Sequence, residues 1–210
     1  MIEFRNITVK FKNTMLFDNF SMSLDEGEKV LLFGKSGTGK STFLKLLLGF
    51  IRPITGEILI NNEKFDRKKV WQLRKTTAYV NQNLEIGEGN IREYLAEFLS
   101  LKSNVNVEFS EQEIAKLIEF FELPTDLLEK NIEDISGGEK QRFAIIMSIL
   151  LNRDIYLLDE ITSGLDADMK RKVAGFFIND LKKTLLIVSH DEIWREFPNI
   201  RVITLNGAKK

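Results

Sequence analysis

Val30-Leu31-Leu32-Phe33-Gly34-Lys35-Ser36-Gly37-Thr38-Gly39-Lys40-Ser41 is the stretch on which the fold turns. Its dense apolar start is the pattern of a strand buried on both faces. The residues from Gly34 to Ser41 fit G-x-x-x-x-G-K-[ST], a phosphate-binding loop, and residues 43–48 continue as a helix by pattern. Glycines let backbone N–H groups close around phosphate oxygens, and the helix N-terminus adds the positive end of its dipole. Lys40 then places a cation on the β- and γ-phosphates, and the Ser41 hydroxyl can ligate Mg²⁺. A Gly-rich turn that binds nothing is the plainer alternative. The strand before and the helix after weigh against it, because the motif needs that context.

Working outward, residues 4–11 and 16–24 alternate apolar and polar, and 56–65 reads as a hairpin turning at Asn61-Asn62. Residues 76–80 are a further strand candidate. The period then changes. Ile114, Leu117, Ile118 and Phe121 fall at i, i+3, i+4, i+7 behind a capping box of Ser110 and Glu113, and Phe143, Ile146, Met147 and Leu150 repeat the spacing. Residues 88–150 thus read as a helical insertion. After it come a strand at 155–158, a helix at 166–181, a strand at 185–188, a short helix and a strand at 201–205. Such alternation predicts an α/β fold with a mostly parallel sheet flanked by helices.

A length of 210 residues suits one domain with subdomains, and 43% hydrophobic residues supply a sizeable core. With 30 basic against 31 acidic residues, the net charge of −1 gives no electrostatic case for a nucleic-acid partner. The lack of cysteine excludes disulfide and thiolate chemistry and suits a cytosolic setting. The start, Met1-Ile2-Glu3-Phe4-Arg5, has no signal-peptide character. The longest apolar runs, near 43–51 and 143–151, are interrupted by Lys45 and Ser148 and fall short of the ~20 residues a spanning helix needs. The chain is therefore expected not to cross a bilayer itself.

Two more segments carry chemistry. Asp154-Ile155-Tyr156-Leu157-Leu158-Asp159-Glu160 is an apolar strand ending in two carboxylates, at the end where open α/β sheets bind ligands. Asp159 suits the Mg²⁺ shell and Glu160 suits polarising an attacking water. Alone, this strand end is as readily a solvated loop; beside a phosphate loop the functional reading prevails. In Ile135-Ser136-Gly137-Gly138-Glu139-Lys140-Gln141, Ser136 and Glu139 form another capping box. Yet consecutive glycines weaken a helix start by ~1 kcal/mol each relative to alanine. A second helix N-terminus facing phosphate would explain the bare backbone.

Taken in order, these segments resemble the nucleotide-binding subunits of ABC transporters, essentially end to end. Ile135-Ser136-Gly137-Gly138-Glu139 resembles the family signature, usually LSGGQ. Gln82 matches the Q-loop glutamine, which touches Mg²⁺ and faces the membrane partner. Ser163-Gly164-Leu165-Asp166 resembles the D-loop, usually SALD, which communicates across the dimer. His190, the sole histidine, matches the switch histidine at the γ-phosphate. Phe11 stands where the family carries an adenine-stacking aromatic, although among 16 phenylalanines a core role is the plainer reading for it. Glu139 replaces the usual Gln, Ile135 the usual Leu, Ile161 a usual Pro and Gly164 a usual Ala. Every catalytic-type residue is nevertheless present.

The resemblance implies a P-loop NTPase (RecA-like) parallel-sheet core with an N-terminal antiparallel β subdomain and an inserted helical subdomain. It implies a single domain over 1–210, with the β subdomain and core at 1–87 and 151–210 and the helical subdomain at 88–150. ATP and Mg²⁺ are the implied cofactors. ATP would be held by Phe11, Gly34, Lys35, Ser36, Gly37, Thr38, Gly39, Lys40, Ser41 and Thr42, and by Ser136, Gly137, Gly138 and Glu139. Ser41, Gln82 and Asp159 would serve the metal, and Glu160, His190, Gln82 and Lys40 the hydrolysis. The implied assembly is an ATP-dependent head-to-tail homodimer. It would work with a separate transmembrane permease, from the cytoplasm, peripheral on the inner face of the cell membrane. The other class to share these motifs is the SMC or DNA-repair ATPase, but that class carries long coiled-coil or DNA-binding insertions, and sustained heptads are missing here. Residues 123–125 through 131–139, with 159–163, are similar to bacterial subunits assigned to iron export.

Overall fold

The computed structural model describes residues 1–11, 14–81, 86–104 and 110–205. Gln82 lies outside the described residues.

Strands β1 (Ile2–Phe11) and β2 (Thr14–Leu24) pair antiparallel. Next come β3 (Lys29–Phe33), helix α1 (Lys40–Leu47), and a hairpin of β4 (Thr55–Ile60) and β5 (Glu63–Lys64). Asn61 and Asn62 take φ of 50° and 62°, the left-handed pair that a tight hairpin turn requires. β4 lies on the other side of β1, giving a four-stranded sheet in the order β2-β1-β4-β5. Helix α2 (Arg67–Lys75) leads into β6 (Thr77–Val80). No element is expected over 66–75 from sequence: charge crowds α2 and hides its period. Its start is nevertheless marked by Asp66, whose side chain accepts from Lys69 N at 2.8 Å.

The described elements between β6 and β7 (Ile155–Asp159) are helical. They are α3 (Ile91–Ser100), α4 (Glu111–Phe120), two short 3₁₀ turns and α5 (Gly137–Leu150). The Ser110 and Ser136 capping boxes open α4 and α5 as the sequence predicts. The helix expected over 166–181 is α6 (Ala167–Gly175) and then widens into a π turn at Phe176–Asp180. There Phe176 meets Phe120 and Phe121, at 5.5 and 5.7 Å, while Phe177 meets Tyr156 at 5.9 Å. β8 (Thr184–Ser189), a 3₁₀ helix at Glu192–Glu196 and β9 (Arg201–Thr204) complete the elements of the described residues.

β6, β7, β8, β3 and β9, in that order, form a five-stranded parallel sheet. Its side chains divide by the strand period of two. Leu31, Tyr156, Leu158, Leu185 and Ile187 join the core beneath α3 to α6. Val30, Leu32, Leu157, Leu186 and Val188 join a second core with α1 and the antiparallel sheet. Phe43 of α1 is the pin of that second core. Its fully buried ring lies 4.3 Å from Phe4, 5.5 Å from Phe17 and 5.7 Å from Phe20. Among the described residues no helix is long and apolar enough to cross a membrane.

Because Phe43 joins α1 to the antiparallel sheet, Phe43→Ala is expected to cost ~3–5 kcal/mol in urea-induced unfolding. Phe43→Leu should cost clearly less. A loss below ~1 kcal/mol for the alanine variant would show that the ring cluster does not couple the two layers.

Candidate functional site

The phosphate loop leaves β3 at the carboxyl edge of the sheet, where Gly34 N donates to Ser189 O of β8 at 3.2 Å. Gly37 and Gly39 have φ of +82° and +96°, a region that side chains resist. A Cβ on Gly34 would sit 3.0 Å from Thr38 Oγ1 and 3.1 Å from Leu205 O. α1 begins with Gly39 as its N-cap and no side chain capping it, so its first N–H groups have no side-chain partner there. Lys40 folds back beneath the loop. Its ammonium donates to Gly34 O at 2.7 Å and Lys35 O at 3.0 Å, and pairs with Glu160 Oε1 at 3.0 Å. The three N–H donors thus have three acceptors, and the side chain is buried.

The end of β7 supplies both carboxylates. Asp159 accepts from Ser41 Oγ at 3.0 Å through Oδ1 and from Tyr79 OH at 3.2 Å through Oδ2. Burial pushes the Asp159 carboxyl above its ordinary range, against the pull of those two hydrogen bonds. Glu160 leaves the strand with φ +52°, a conformation seldom taken by a residue with a side chain and concentrated at functional sites. Its Oε2 accepts from Ser189 Oγ at 3.2 Å and His190 N at 3.3 Å, and lies 2.9 Å from His190 Nδ1. Burial alone would push the Glu160 carboxyl up. His190 and Lys40 together outweigh it and hold this carboxyl below its usual range. Adjacent carboxyl groups are therefore shifted in opposite directions.

Of the expected residues, the fold thus gathers Lys40, Ser41, Asp159, Glu160 and His190 into a bonded cluster. Among the described residues, no hydrogen bond links residues 136–138 to residues 34–41. At α5, Ser136 Oγ accepts from Glu139 N at 3.3 Å, and the Glu139 carboxylate accepts from Ser136 N at 2.8 Å. Those Ser136 bonds hold the Glu139 carboxyl below its ordinary range. A Cβ on Gly137 would meet nothing within 4 Å, and one on Gly138 only Arg142 Nη1 at 3.9 Å. In the following loop Gly164 takes φ +82°, Leu165 is buried, Ser163 is exposed, and Asp166 caps α6 by accepting from Met169 N at 2.9 Å. Phe11, at the end of β1, is 58% exposed, so the core reading does not hold for it.

Other participants escape sequence reasoning. Tyr79 and Ser189 join the carboxylates, and Gln141 Nε2 donates to Ile161 O at 2.9 Å, tying α5 to the turn after Glu160. Asp191 accepts from Thr162 Oγ1 at 3.1 Å and pairs with Lys170 at 2.7 Å. Their only signal in the sequence is a polar atom at the end of an apolar strand or helix face.

The donor set also bears on a metal. Ser41 Oγ and Asp159 Oδ1 are hard oxygen donors side by side, and Mg²⁺ needs few protein oxygens when phosphates and water complete its shell. Among the described residues no group of three or more His, Cys, Asp and Glu forms a cage of its own. The residues fit a metal that arrives with phosphate.

Comparison with known proteins agrees with this geometry. A family profile described as "ABC transporter" matches residues 17–163. The ergothioneine transport ATP-binding protein EgtV of Helicobacter pylori (strain G27) is 30% identical over 197 residues, covering 91% of this chain and 91% of that protein. The spermidine/putrescine import ATP-binding protein PotA of Legionella pneumophila (strain Paris) is 32% identical over 212 residues. That match covers 98% of this chain, which spans only 57% of the relative's length. Other curated relatives are longer still, with the chain spanning 40% of one and 27% of another. Among solved structures, a dimeric ATP-binding cassette in a post-hydrolysis state, bound to ADP and Pi, superposes with a TM-score of 0.77 at 25% identity. The superposition covers 100% of this chain and 98% of that one. With a parallel sheet, a phosphate loop and a family match over most of its length, the chain belongs to the ABC transporter family, as its ATP-binding domain.

Proposed function

We propose that this chain hydrolyses Mg-ATP as the energy-coupling subunit of a membrane transporter, working as a head-to-tail pair of copies. The observation that carries this reading is the bonded cluster of Ser41 with Asp159 and of Lys40 with Glu160 and His190, at the carboxyl ends of β3, β7 and β8.

In this reading residues 34–42 wrap the phosphates, with Lys40 turning its ammonium from the Glu160 carboxylate to the β- and γ-oxygens. Phe11 offers an exposed ring to the adenine. Ser41 and Asp159, with Gln82, hold Mg²⁺, which supplies charge neutralisation at the phosphates. Glu160, kept ionised by its neighbours, accepts a hydrogen bond from the attacking water and aligns it. His190 orients Glu160 and reaches the γ-phosphate. Ser136, Gly137 and Gly138 of a second copy close the site, with Ser163-Gly164-Leu165-Asp166 at the seam. Bare backbone at 137 and 138, which no neighbour among the described residues demands, supports that assignment.

The single domain, with its helical part at 88–150, would sit in the cytoplasm against the inner face of the membrane, docked on a separate transmembrane permease. Nucleic acid is not a proposed partner. The chromosome-maintenance alternative is disfavoured, since α3, α4 and α5 have only 10, 10 and 14 residues. Iron export as the cargo rests on the resemblance of residues 123–139 and 159–163 alone. The two relatives compared above carry names for ergothioneine and polyamine transport.

Removing the Lys40 ammonium tests the phosphate loop. Lys40→Ala should weaken ATP binding by ~2–4 kcal/mol in equilibrium titration, or abolish turnover. Wild-type affinity together with wild-type hydrolysis would dismiss the assignment.

The paired mechanism has its own test. Glu160→Gln should retain ATP and slow hydrolysis by roughly 10²–10⁴-fold, so that a dimer accumulates with Mg-ATP on size-exclusion chromatography. Adding Ser136→Arg should abolish that dimer, because the long side chain intrudes where the partner's γ-phosphate docks. An ATP-bound Glu160→Gln that stays monomeric, or a double variant that still dimerises, would overturn the composite site.

A further inference from the structure

We propose that Tyr79 is a positioning residue for the divalent cation: its hydroxyl holds one oxygen of Asp159 so that the other, beside Ser41, is presented to the metal accompanying ATP. This inference rests on the Mg-ATPase reading above and adds to it a residue outside the recognised motifs.

The argument begins with strand register. Tyr79 of β6 lies opposite Leu157 of β7, and Asp159 stands two residues beyond Leu157 on the same face. The phenol therefore reaches the Asp159 carboxylate from the sheet, while Ser41 reaches it from α1. Tyr79 OH donates to Oδ2 at 3.2 Å and Ser41 Oγ to Oδ1 at 3.0 Å. A tyrosine hydroxyl is protonated at neutral pH, so Tyr79 serves as the donor in this contact.

A carboxylate with a single anchor is free to swing, because the terminal torsion of aspartate is broad. Anchored on both oxygens, Asp159 keeps a fixed plane. Ser41 can turn its hydroxyl so that the oxygen lone pair faces a cation, and Oδ1 is then open beside it. Oδ2 stays occupied by the phenol and is withheld from the metal. Asp159 is thereby confined to one-oxygen coordination. That suits the strict octahedral shell of Mg²⁺, whereas Ca²⁺ readily accepts both carboxylate oxygens. Tyr79 thus acts through Asp159 on the strength and the selectivity of cation binding, without touching nucleotide.

Calorimetric titration of the full chain with a non-hydrolysable ATP analogue, in EDTA, in Mg²⁺ and in Ca²⁺, tests this independently of turnover. Tyr79→Phe keeps the ring and its packing, and an unchanged melting temperature without ligand verifies the fold. Analogue affinity in EDTA should be unchanged, while the Mg²⁺ concentration giving half of the metal-dependent gain should rise about 10-fold. The preference for Mg²⁺ over Ca²⁺ should fall. In an Asp159→Asn background, Tyr79→Phe should have no further effect on the metal term. An Mg²⁺ dependence identical to wild type would overturn the role of the tyrosine, as would an equal loss in EDTA or an effect that persists in Asp159→Asn. A wild-type chain that binds no analogue under any condition would instead overturn the underlying ATPase reading, and this inference with it.

Discussion

A parallel sheet covered on both faces can keep polar side chains only where its strands stop. Here β3, β7 and β8 contribute Leu31, Leu157 and Leu186 at 0% exposure, with apolar neighbours along each strand. At the carboxyl ends of these strands polar groups appear together, as the phosphate loop after β3, Asp159-Glu160 ending β7, and Ser189-His190 ending β8. Their coincidence follows from the in-step parallel register, which sets Phe33 beside Ser189 and Asp159 beside Val188. Parallel topology thus concentrates chemistry on one edge, and the rest of the molecule serves to bury the sheet and fix that edge.

At that edge, charges are held in partial desolvation. Burying an ion pair costs more than its attraction returns unless the remaining donors and acceptors are also satisfied. The Lys40 and Glu160 side chains keep only 5% and 8% of their surface exposed, and they meet this condition. Lys40 has two backbone carbonyls in addition to the carboxylate, and Glu160 has the Ser189 hydroxyl and both nitrogens of His190 that face it. The same neighbours separate the two carboxylates chemically. Asp159 is pushed up by burial despite its two hydrogen bonds and the pull of Lys40; Glu160, between a lysine and a histidine, is pulled down. Opposed shifts on neighbouring acids are how one site sustains two different tasks.

Much of this was legible in the sequence, for identifiable reasons. The strands of the parallel sheet announce themselves as apolar runs, and the phosphate loop as glycines whose positive φ no other residue tolerates well. Ser110 and Ser136 read as caps because capping is local. Helix α2 leaves little trace in the sequence, because lysines and arginines cover its surface and only Leu73 is buried. The role of Tyr79 was invisible for a different reason. Its partner Asp159 is distant in the chain, and only the pairing of β6 with β7 brings the phenol to the carboxylate. The rings that meet Phe176 and Phe177 where α6 widens likewise come from distant residues, Phe120, Phe121 and Tyr156, which no local pattern encodes.

Four glycines differ in what requires them, and the difference bears on assembly. Gly37 and Gly39 are required where they stand, since their φ values exclude most side chains. Gly137 and Gly138 are not. Neither has positive φ, neither is crowded, and both open a helix that Ser136 and Glu139 already cap. Alanine at each would favour the helix by about 1 kcal/mol. A fold optimised only for its own stability has no use for this pair. In the proposed reading, the helix start they leave bare serves something that approaches from outside the chain, close enough for a methyl group to obstruct. In the proposed head-to-tail pair that visitor is the triphosphate bound on the other copy. The same physics that closes Gly34 to Ser41 around phosphate, backbone N–H groups at a helix N-terminus, would then act from both sides of one nucleotide.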